Sequence, residues 1–232
     1  MSKFLNKKTV LYHYVHCPFC VRVRVALSFL DLQYESIVLP YDDELTPIKM
    51  TGVKMLPIWG DGKVFMNESL DIIRKIDVDD LIEKSHFSMH ESHITDLLNK
   101  IGECVYPLAM PYWVYTPEFD DQSRKYFQTK KEKKRGPFNA LVLNKKKYIK
   151  DLSILFEAIE KELIPFYKSD TFTLTDILIY SHLVGLYVVP GMLYPSSIGQ
   201  YFQRIENTTG FSYHEPFWKN NKIFTLLMRG NQ

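Results

Sequence analysis

The spacing of hydrophobic and polar positions changes after residue 77, and this change predicts two regions of different fold. Thr9 to Tyr14 and Tyr34 to Pro40 are short apolar stretches of strand length. Leu56 to Trp59 and Lys63 to Met66 flank the turn sequence GDG, which favours a β-hairpin. Strand signals stop beyond this region, so the sequence predicts a small sheet near the start of the chain.

A helix is predicted to begin at or just after Cys17, between the first two strands. VRVRV, from Val21 to Val25, alternates as a strand would. Val21, Val25 and Phe29 nevertheless share one helical face. Pro18 suits the first turn of a helix, because a missing N–H has no intrahelical partner to lose there. The balance of these signals favours a helix.

Two further helices complete the first region. Asp42 to Thr51 is predicted as a short polar helix that ends at Gly52. Another helix begins at Ser69, and its apolar face is formed by Leu70, Ile72, Ile73 and Ile76. The predicted order of elements is βαβαββα.

Helical spacing continues through most of the second region. The predicted helices are Ser88 to Val105, Phe138 to Leu163, Thr173 to Val189 and Ser196 to Asn207, with a broken stretch through Arg135 after the first. TLTD, from Thr173 to Asp176, has the form of a capping box before a wholly apolar segment, so this helix is predicted to be the buried centre of its domain. The predicted division is a first domain of residues 1–77, a linker of residues 78–87 and an all-helical domain of residues 88–232.

Composition and charge predict a globular protein of the cytoplasm. Of the 232 residues, 46% are hydrophobic and 24% are charged, and the net charge is +2. This balance indicates neither a protein that coats nucleic acid nor a disordered acidic tail. The first residues lack the apolar block of a secretory signal, and no stretch supplies about 18 uninterrupted apolar residues. We therefore expect no membrane partner.

Two of the three cysteines, Cys17 and Cys20, lie close together, and three kinds of site compete to explain them. A zinc site usually needs four ligands, and Cys104 stands alone. The histidines that share one predicted helix face would still need a further ligand; they are His86, His90 and His93. A disulfide staple is rare in a reducing compartment. The third alternative, a redox pair, is the one that the sequence favours.

The predicted helix gives the two thiols different chemistry. Unpaired N–H groups and the helix dipole at an N-terminus favour negative charge and lower the pKa of a thiol placed there. We therefore expect Cys17 to be a thiolate near neutral pH. Cys20, one turn further in, is expected to be less exposed, to keep its proton and to resolve a mixed disulfide formed at Cys17. The neighbouring basic residues are expected to be exposed, with no specific role; they are His16, Arg22 and Arg24.

A basic segment follows in the second region. Eleven of the 29 lysines and arginines lie between Arg124 and Lys150, against a single acid, Glu132. KKEKKRG within it is typical of a mobile solvated loop, and the alternatives are that it steers anionic partners or contacts RNA. The segment lacks the aromatic-glycine pattern of an RNA-binding module, so we expect no nucleic-acid partner. Cys104, in an apolar context, is predicted to be a packed thiol.

The first domain resembles the thioredoxin-fold domain of glutaredoxins. The resemblance depends on CPFC as the active site, on MLPI as the segment that carries a cis-proline, and on the element order. YVHCPFC, TGVKMLPI and MNESLDII follow one another as in glutaredoxin 2, a two-domain glutaredoxin built like a glutathione transferase. TLTD is similar to the motif at the start of the core helix in glutathione transferases. The implied fold is an α/β thioredoxin-fold domain followed by an all-α transferase-like domain.

The resemblance also implies a function and a set of site residues. It implies a glutathione-dependent thiol-disulfide oxidoreductase with Cys17 and Cys20 as its catalytic residues. Glutathione is the implied co-substrate, with no bound cofactor or metal, and disulfide-containing or glutathionylated proteins are the implied partners of a monomer. The residues implied to hold glutathione are Phe19, Lys54, Leu56, Pro57, Glu68 and Ser69. Physical chemistry agrees for the last two, since helix N-termini bind carboxylates.

Other functions on the same fold stay open at this point. One is a glutathione transferase, or a thiol transferase similar to dehydroascorbate reductase, although many such enzymes replace the second cysteine. A second is a non-catalytic interaction protein. A third is a thioredoxin reduced by a flavoprotein, which the Glu68–Ser69 site and the added helical domain argue against.

Overall fold

The first domain has the predicted order of strands and helices in a computed structural model that describes residues 9–213. Its elements are β1 Val10–His13, α1 Pro18–Phe29, β2 Glu35–Val38, α2 Leu45–Thr51, β3 Ile58–Gly60, β4 Phe65–Met66 and α3 Ser69–Ile76. Gly52 ends α2 in the left-handed conformation, with φ 81°. The predicted order βαβαββα is confirmed.

The four strands form one mixed sheet in the order β2-β1-β3-β4. β1 and β2 are parallel, which requires a crossover, and α1 supplies it. β3 pairs antiparallel with both β1 and β4. The turn between β3 and β4 is closed by Asp61, whose carboxylate accepts hydrogen bonds from the N–H groups of Lys63 and Val64, each at 3.1 Å. The arrangement is a thioredoxin fold.

α1 is a helix in spite of the alternation in VRVRV. Its valines are fully buried, and its arginines are nearly so: Arg22 is 7% exposed and Arg24 is 2% exposed. The second domain covers the face of α1 that would otherwise be solvated, as the hydrogen bond from Ser28 Oγ to Thr209 O at 2.9 Å illustrates. The expectation that His16, Arg22 and Arg24 are exposed is therefore wrong, because it treated the first domain as if it stood alone.

Helices make up the second domain. They are α4 Ser85–Met89, α5 Glu91–Trp113, α6 Asp121–Arg135, α7 Phe138–Leu143, α8 Lys145–Glu160, α9 Leu174–Leu183 and α10 Ser196–Thr209, with a 3₁₀ helix at Val184–Val188. The single predicted helix from Phe138 to Leu163 is divided at Asn144. Part of the predicted linker, residues 78–87, packs into the core, since Ile82 is fully buried and Phe87 is 7% exposed.

The predicted break after Val105 and the predicted mobile loop are both wrong. α5 continues to Trp113 with Pro107 and Pro111 inside it, and both prolines are buried. Proline removes one helical hydrogen bond, and here tertiary packing of α5 outweighs that loss. KKEKKRG is mostly the C-terminal half of α6, whose N-terminus is capped by Asp120 through the N–H of Ser123 at 2.7 Å.

α9 is the buried centre of the second domain, as predicted. All of its residues are buried, and Thr173 and Asp176 form the predicted capping box. Behind α9, Trp113 packs so closely on the chain that a Cβ at Gly185 would lie 2.8 Å from its ring. The Trp113 indole N–H donates to Gly185 O at 2.9 Å. Glycine is needed there because a larger residue would clash.

Two further observations concern partners. Between residues 9 and 213 no helix is long and apolar enough to cross a membrane. Over the same residues, no group of three or more His, Cys, Asp or Glu side chains is placed to hold a metal ion.

Candidate active site

Cys17 occupies the N-cap position of α1, where no other side chain caps the helix. It is partly exposed and is a free thiol. A hydrogen bond from the Cys20 side chain lowers the pKa of Cys17, and the backbone N–H groups of Cys20 and Phe19 lower it further, against burial and the charge of Glu118. The net pKa lies below the ordinary value of a thiol, in the predicted direction.

Cys20 is fully buried, and its pKa is shifted the other way. Burial raises the pKa of Cys20 well above its ordinary value, and the neighbouring Cys17 raises it further. The N–H of Tyr14 donates to Cys20 Sγ at 3.3 Å. The structure thus favours a thiolate at the partly exposed Cys17 and a protonated thiol at the buried Cys20.

The segment before Pro57 lies beside the two cysteines. The Leu56–Pro57 peptide bond is cis. Leu56 packs in one buried cluster with Cys20, Leu39 and Ile58, and Cys17 packs against the same cluster. The structure therefore brings Leu56 and both cysteines together.

Phe19, Ser69 and Arg22 form a second group at the N-terminus of α3. The Arg22 guanidinium lies over the Phe19 ring, 4.5 Å from its centroid, and its NH1 is 3.5 Å from Ser69 Oγ. Glu68, just before the helix, is exposed and has φ 69°. Burial lowers the pKa of Arg22 to about 10, and the negative charges of Tyr106 and Cys17 oppose that shift.

Lys54 does not lie in an open loop. Its ammonium group donates to Tyr41 O at 2.6 Å and to Tyr126 Oη at 2.7 Å, and it lies 3.5 Å from a carboxylate oxygen of Glu44. The side chain is 17% exposed. Lys54 therefore joins the loop before Pro57 to α6 of the second domain, and no described contact joins it to the group around Ser69.

Glu118, between α5 and α6, is a site residue that the sequence analysis missed. Its carboxylate accepts hydrogen bonds from the N–H of Val15 at 2.7 Å and the N–H of His16 at 3.2 Å. It also pairs with Nδ1 of the His16 ring, and both side chains are fully buried. His16 Nε2 lies 3.1 Å from Tyr187 Oη. The second domain thus holds the backbone that leads into Cys17.

Arg24 supports the same loop from its other side. It donates to Val15 O at 3.4 Å and to the carbonyl of Tyr213. Its guanidinium also lies 5.1 Å from the centroid of the Phe211 ring. The buried arginines and histidine around CPFC are therefore parts of the site's support.

Two family models match this chain. The family model described as glutaredoxin 2, C-terminal domain, matches residues 93–215. The model described as glutathione S-transferase, N-terminal domain, matches residues 11–80. Together the two matches cover both domains.

Similar proteins extend over most of the chain. Glutaredoxin 2 of Escherichia coli strain K12 is 32% identical over 206 residues, which are 86% of this chain and 94% of that protein. The crystal structure of glutaredoxin 2 from Salmonella typhimurium in complex with glutathione has a TM-score of 0.80 at 28% identity, covering 91% of this chain and 99% of that one. A glutathione S-transferase of Ceriporiopsis subvermispora shares the fold, with a TM-score of 0.72 at 18% identity over 88% of this chain and 99% of that one. The chain belongs to the glutaredoxin 2 family.

Proposed function

We propose that this protein is a glutathione-dependent thiol-disulfide oxidoreductase in which Cys17 attacks and Cys20 resolves. The observation that carries the proposal is that the pKa values of the two thiols are shifted in opposite directions. The N-terminus of α1 and the Cys20 thiol lower the pKa of Cys17, whereas burial raises that of Cys20. The thiolate is the nucleophile in disulfide exchange, so the first sulfur is the attacker.

Reduction of a glutathionylated protein follows from these positions. The Cys17 thiolate attacks the glutathione sulfur of the mixed disulfide, and the protein leaves as a thiol after taking up a proton. A second glutathione thiolate then attacks the glutathione sulfur bound to Cys17, which releases oxidised glutathione and restores the Cys17 thiolate. Glutaredoxin potentials of about −200 to −230 mV suit this exchange with a glutathione pool.

Reduction of a protein disulfide uses the buried sulfur as well. Cys17 forms a mixed disulfide with one substrate sulfur, and the other substrate sulfur leaves as a thiol. Cys20 loses its proton and attacks the Cys17 sulfur, which releases the second substrate thiol and leaves a Cys17–Cys20 disulfide. Two glutathione molecules then reduce that disulfide and leave as oxidised glutathione.

The proposed glutathione site has two ends. The γ-glutamyl carboxylate binds at the N-terminus of α3, at Glu68 and Ser69, with Phe19 beside it. The backbone of Leu56, before Pro57, pairs with the peptide, and Lys54 receives the glycyl carboxylate. The crystal structure of the Salmonella relative in complex with glutathione supports glutathione as the ligand of this site.

The remaining assignments are part of the same proposal. A cytoplasmic location fits three free cysteines, because disulfides are rare in reducing compartments. We propose a monomer that acts on disulfide-containing or glutathionylated proteins, without a bound cofactor and without a nucleic-acid or membrane partner.

The test compares single-cysteine variants on two substrates. Cys17→Ser should lower the reduction of both a glutathionylated peptide and a protein disulfide by at least about 100-fold, because the nucleophile is lost. Cys20→Ser should retain the first reaction and lose the second. Cys104→Ser is the matched control and should retain both, since that thiol is buried in the second domain and burial raises its pKa to about 11.

Two results would contradict the proposal. Protein-disulfide reduction that is unchanged in Cys20→Ser would replace the dithiol mechanism with a monothiol one. An unmodified protein that conjugates glutathione to an aryl halide and reduces neither disulfide would be a glutathione transferase instead.

A further inference from the structure

The C-terminal half of α6 carries an unusual density of positive charge. Five of the six residues from Lys130 to Arg135 are basic. The one acid, Glu132, is used internally: its Oε1 accepts from Gln128 Nε2 at 3.0 Å and from the N–H of Phe138 at 2.8 Å. Lys133 and Lys134 are exposed. We call Lys131, Lys134 and Arg135 the α6 basic patch, because residues three and four apart share one face of a helix.

α6 is anchored on the active-site end of the first domain. The Phe127 ring contacts Tyr41, with centroids 4.7 Å apart, and Tyr41 stacks on Tyr14 at 3.8 Å. Tyr14 in turn donates its N–H to Cys20. Tyr126, the residue before Phe127 in α6, accepts a hydrogen bond from the ammonium group of Lys54. The helix that carries the patch therefore packs on the same structure that holds the cysteines.

Lys131, the first residue of the patch, lies over a ring that packs on the first domain. The Lys131 ammonium group lies 5.3 Å from the centroid of the Phe127 ring. Burial lowers the pKa of Lys131, and the negative charge of Cys17 acts in the opposite direction. Lys131 therefore lies one helical turn beyond Phe127, on the ring that packs against Tyr41 of the first domain.

Arg135, one turn after Lys131, contacts an aromatic ring of α5. Its guanidinium lies over the Tyr106 ring, 4.8 Å from the centroid. Burial raises the pKa of Tyr106 to about 12, the charge of Cys17 adds to that effect, and Arg22 and Arg135 oppose it. Arg135 thus contacts a ring of α5 from the same helix face as Lys131.

The cations of the patch are not neutralised. Lys130, on the neighbouring face, lies 3.6 Å from Glu44. In residues 9–213, by contrast, no member of the α6 basic patch makes an ion pair, and neither does Arg22. Uncompensated surface charge attracts groups of opposite sign and raises the rate at which they arrive.

We propose that the α6 basic patch selects protein substrates whose disulfide or glutathionylated cysteine is flanked by acidic residues. This inference rests on the proposed function and names its substrate class. From Lys131 to Arg135 the patch covers about one turn of α6, or about 6 Å, and offers more than one cation to the residues that flank a substrate cysteine. The rings beside its cations do not favour nucleic acid, because Phe127 is buried and Tyr106 is covered by Arg135, which leaves no open surface for stacking of bases.

The experiment uses three glutathionylated peptides that differ only in the residues around the cysteine. These are aspartate and glutamate in the first, asparagine and glutamine in the second, and lysine in the third. At low salt the unmodified protein should give kcat/KM about tenfold higher for the acidic peptide than for the neutral one, and lowest for the basic one. The advantage should shrink as ionic strength rises.

Two charge-matched double variants locate the effect. Lys131→Gln with Lys134→Gln should reduce the acidic-to-neutral ratio several-fold, because it removes two charges from the helix face that carries the patch. Lys146→Gln with Lys147→Gln removes the same charge from exposed positions on α8 and should leave the ratio unchanged. Both variants should reduce the small mixed disulfide of glutathione and 2-mercaptoethanol at the unmodified rate.

Equal kcat/KM for the three peptides would overturn the proposal, and so would an equal loss in both double variants. Strong inhibition by a short single-stranded oligonucleotide, with no preference among peptides, would assign the patch to nucleic acid instead. Failure of the unmodified protein to reduce the small mixed disulfide would overturn the proposed function itself, and that result is read independently of the peptide ratios.

Discussion

The N-termini of α1 and α9 are built from the same helical N–H groups and are completed in opposite ways. At α9, Thr173 and Asp176 close the helix with a capping box, and the Asp176 carboxylate also accepts from Tyr201 Oη at 2.7 Å and from the N–H of Tyr167 at 2.9 Å. At α1, Cys17 stands at the N-cap position and no side chain caps the helix.

The difference separates stability from chemistry. A satisfied N-terminus stabilises its helix by about 1 kcal/mol per cap and is chemically silent. An open N-terminus directs its N–H groups at a sulfur and lowers the pKa of that thiol. The chain thus has one closed terminus at the centre of the second domain and one open terminus where the two domains meet.

The largest expected effect comes from breaking the closed terminus. Asp176→Asn places an amide NH₂ among donors that the carboxylate now satisfies, and it should lower the free energy of unfolding by about 3 kcal/mol. Urea unfolding at pH 7 measures this loss, and the catalytic rate per folded molecule should not change. The exposed Asp121→Asn, in the first turn of α6, is the control and should stay within about 0.5 kcal/mol. An equal fall in the free energy of unfolding in the two variants would show that the Asp176 carboxylate contributes no more to stability than an exposed one.

The same carboxyl group predicts a pH dependence. Burial raises the pKa of Asp176 in the folded protein. Above about pH 4, where the unfolded group has lost its proton, the folded state still holds that proton, so its contribution to stability falls as pH rises through the folded pKa. The difference in unfolding free energy between the unmodified protein and Asp176→Asn should therefore vary over this window. A constant difference would contradict the raised pKa.

A smaller effect is expected from Glu118→Gln, which alters the support of the open terminus. The neutral amide cannot accept from both backbone N–H groups and the His16 ring as the carboxylate does, so the free energy of unfolding should fall by about 2 kcal/mol. The pKa of Cys17 should fall further, because the charge of Glu118 raises it. Thiol alkylation as a function of pH measures this shift, with the exposed Glu157→Gln as control. A rise in the Cys17 pKa would show that support of the loop outweighs the charge.

The smallest effect is expected at a third helix N-terminus, that of α3. Ser69→Ala removes one hydrogen-bonding group from the proposed γ-glutamyl site, and KM for glutathione should rise about fivefold, which corresponds to about 1 kcal/mol. The value of kcat should change little. Ser153→Ala on the surface of α8 is the control. An unchanged KM together with a loss of stability would make Ser69 a structural residue only.

Local features could be predicted from the sequence because they depend on neighbours along the chain. The strand-helix order, the turn at GDG and the capping box at Thr173 each follow from a few adjacent residues. The lowered pKa of Cys17 is also local, since it depends on the first turn of α1 and on a cysteine three residues away.

Features that depend on contact between the domains could not be predicted. Glu118 lies 102 residues from His16 and stands among other acids in a connecting segment, so nothing in its sequence neighbourhood marks it. Arg22 and Arg24 have the composition of a solvated face until the second domain covers them. Pro107 and Pro111 signal a break, and only the tertiary packing of α5 shows that the helix continues through them.

The most direct test of the open terminus is the alkylation rate of Cys17 as a function of pH. The rate follows the thiolate fraction, so a lowered pKa moves the half-maximal rate to lower pH. Iodoacetamide labelling of the folded protein, read at the Cys17 peptide by mass spectrometry, should reach half its maximal rate below the pH of about 8.5 at which an ordinary thiol does so. A half-maximal rate at or above that pH would contradict the claim that the N-terminus of α1 is kept open for a thiolate.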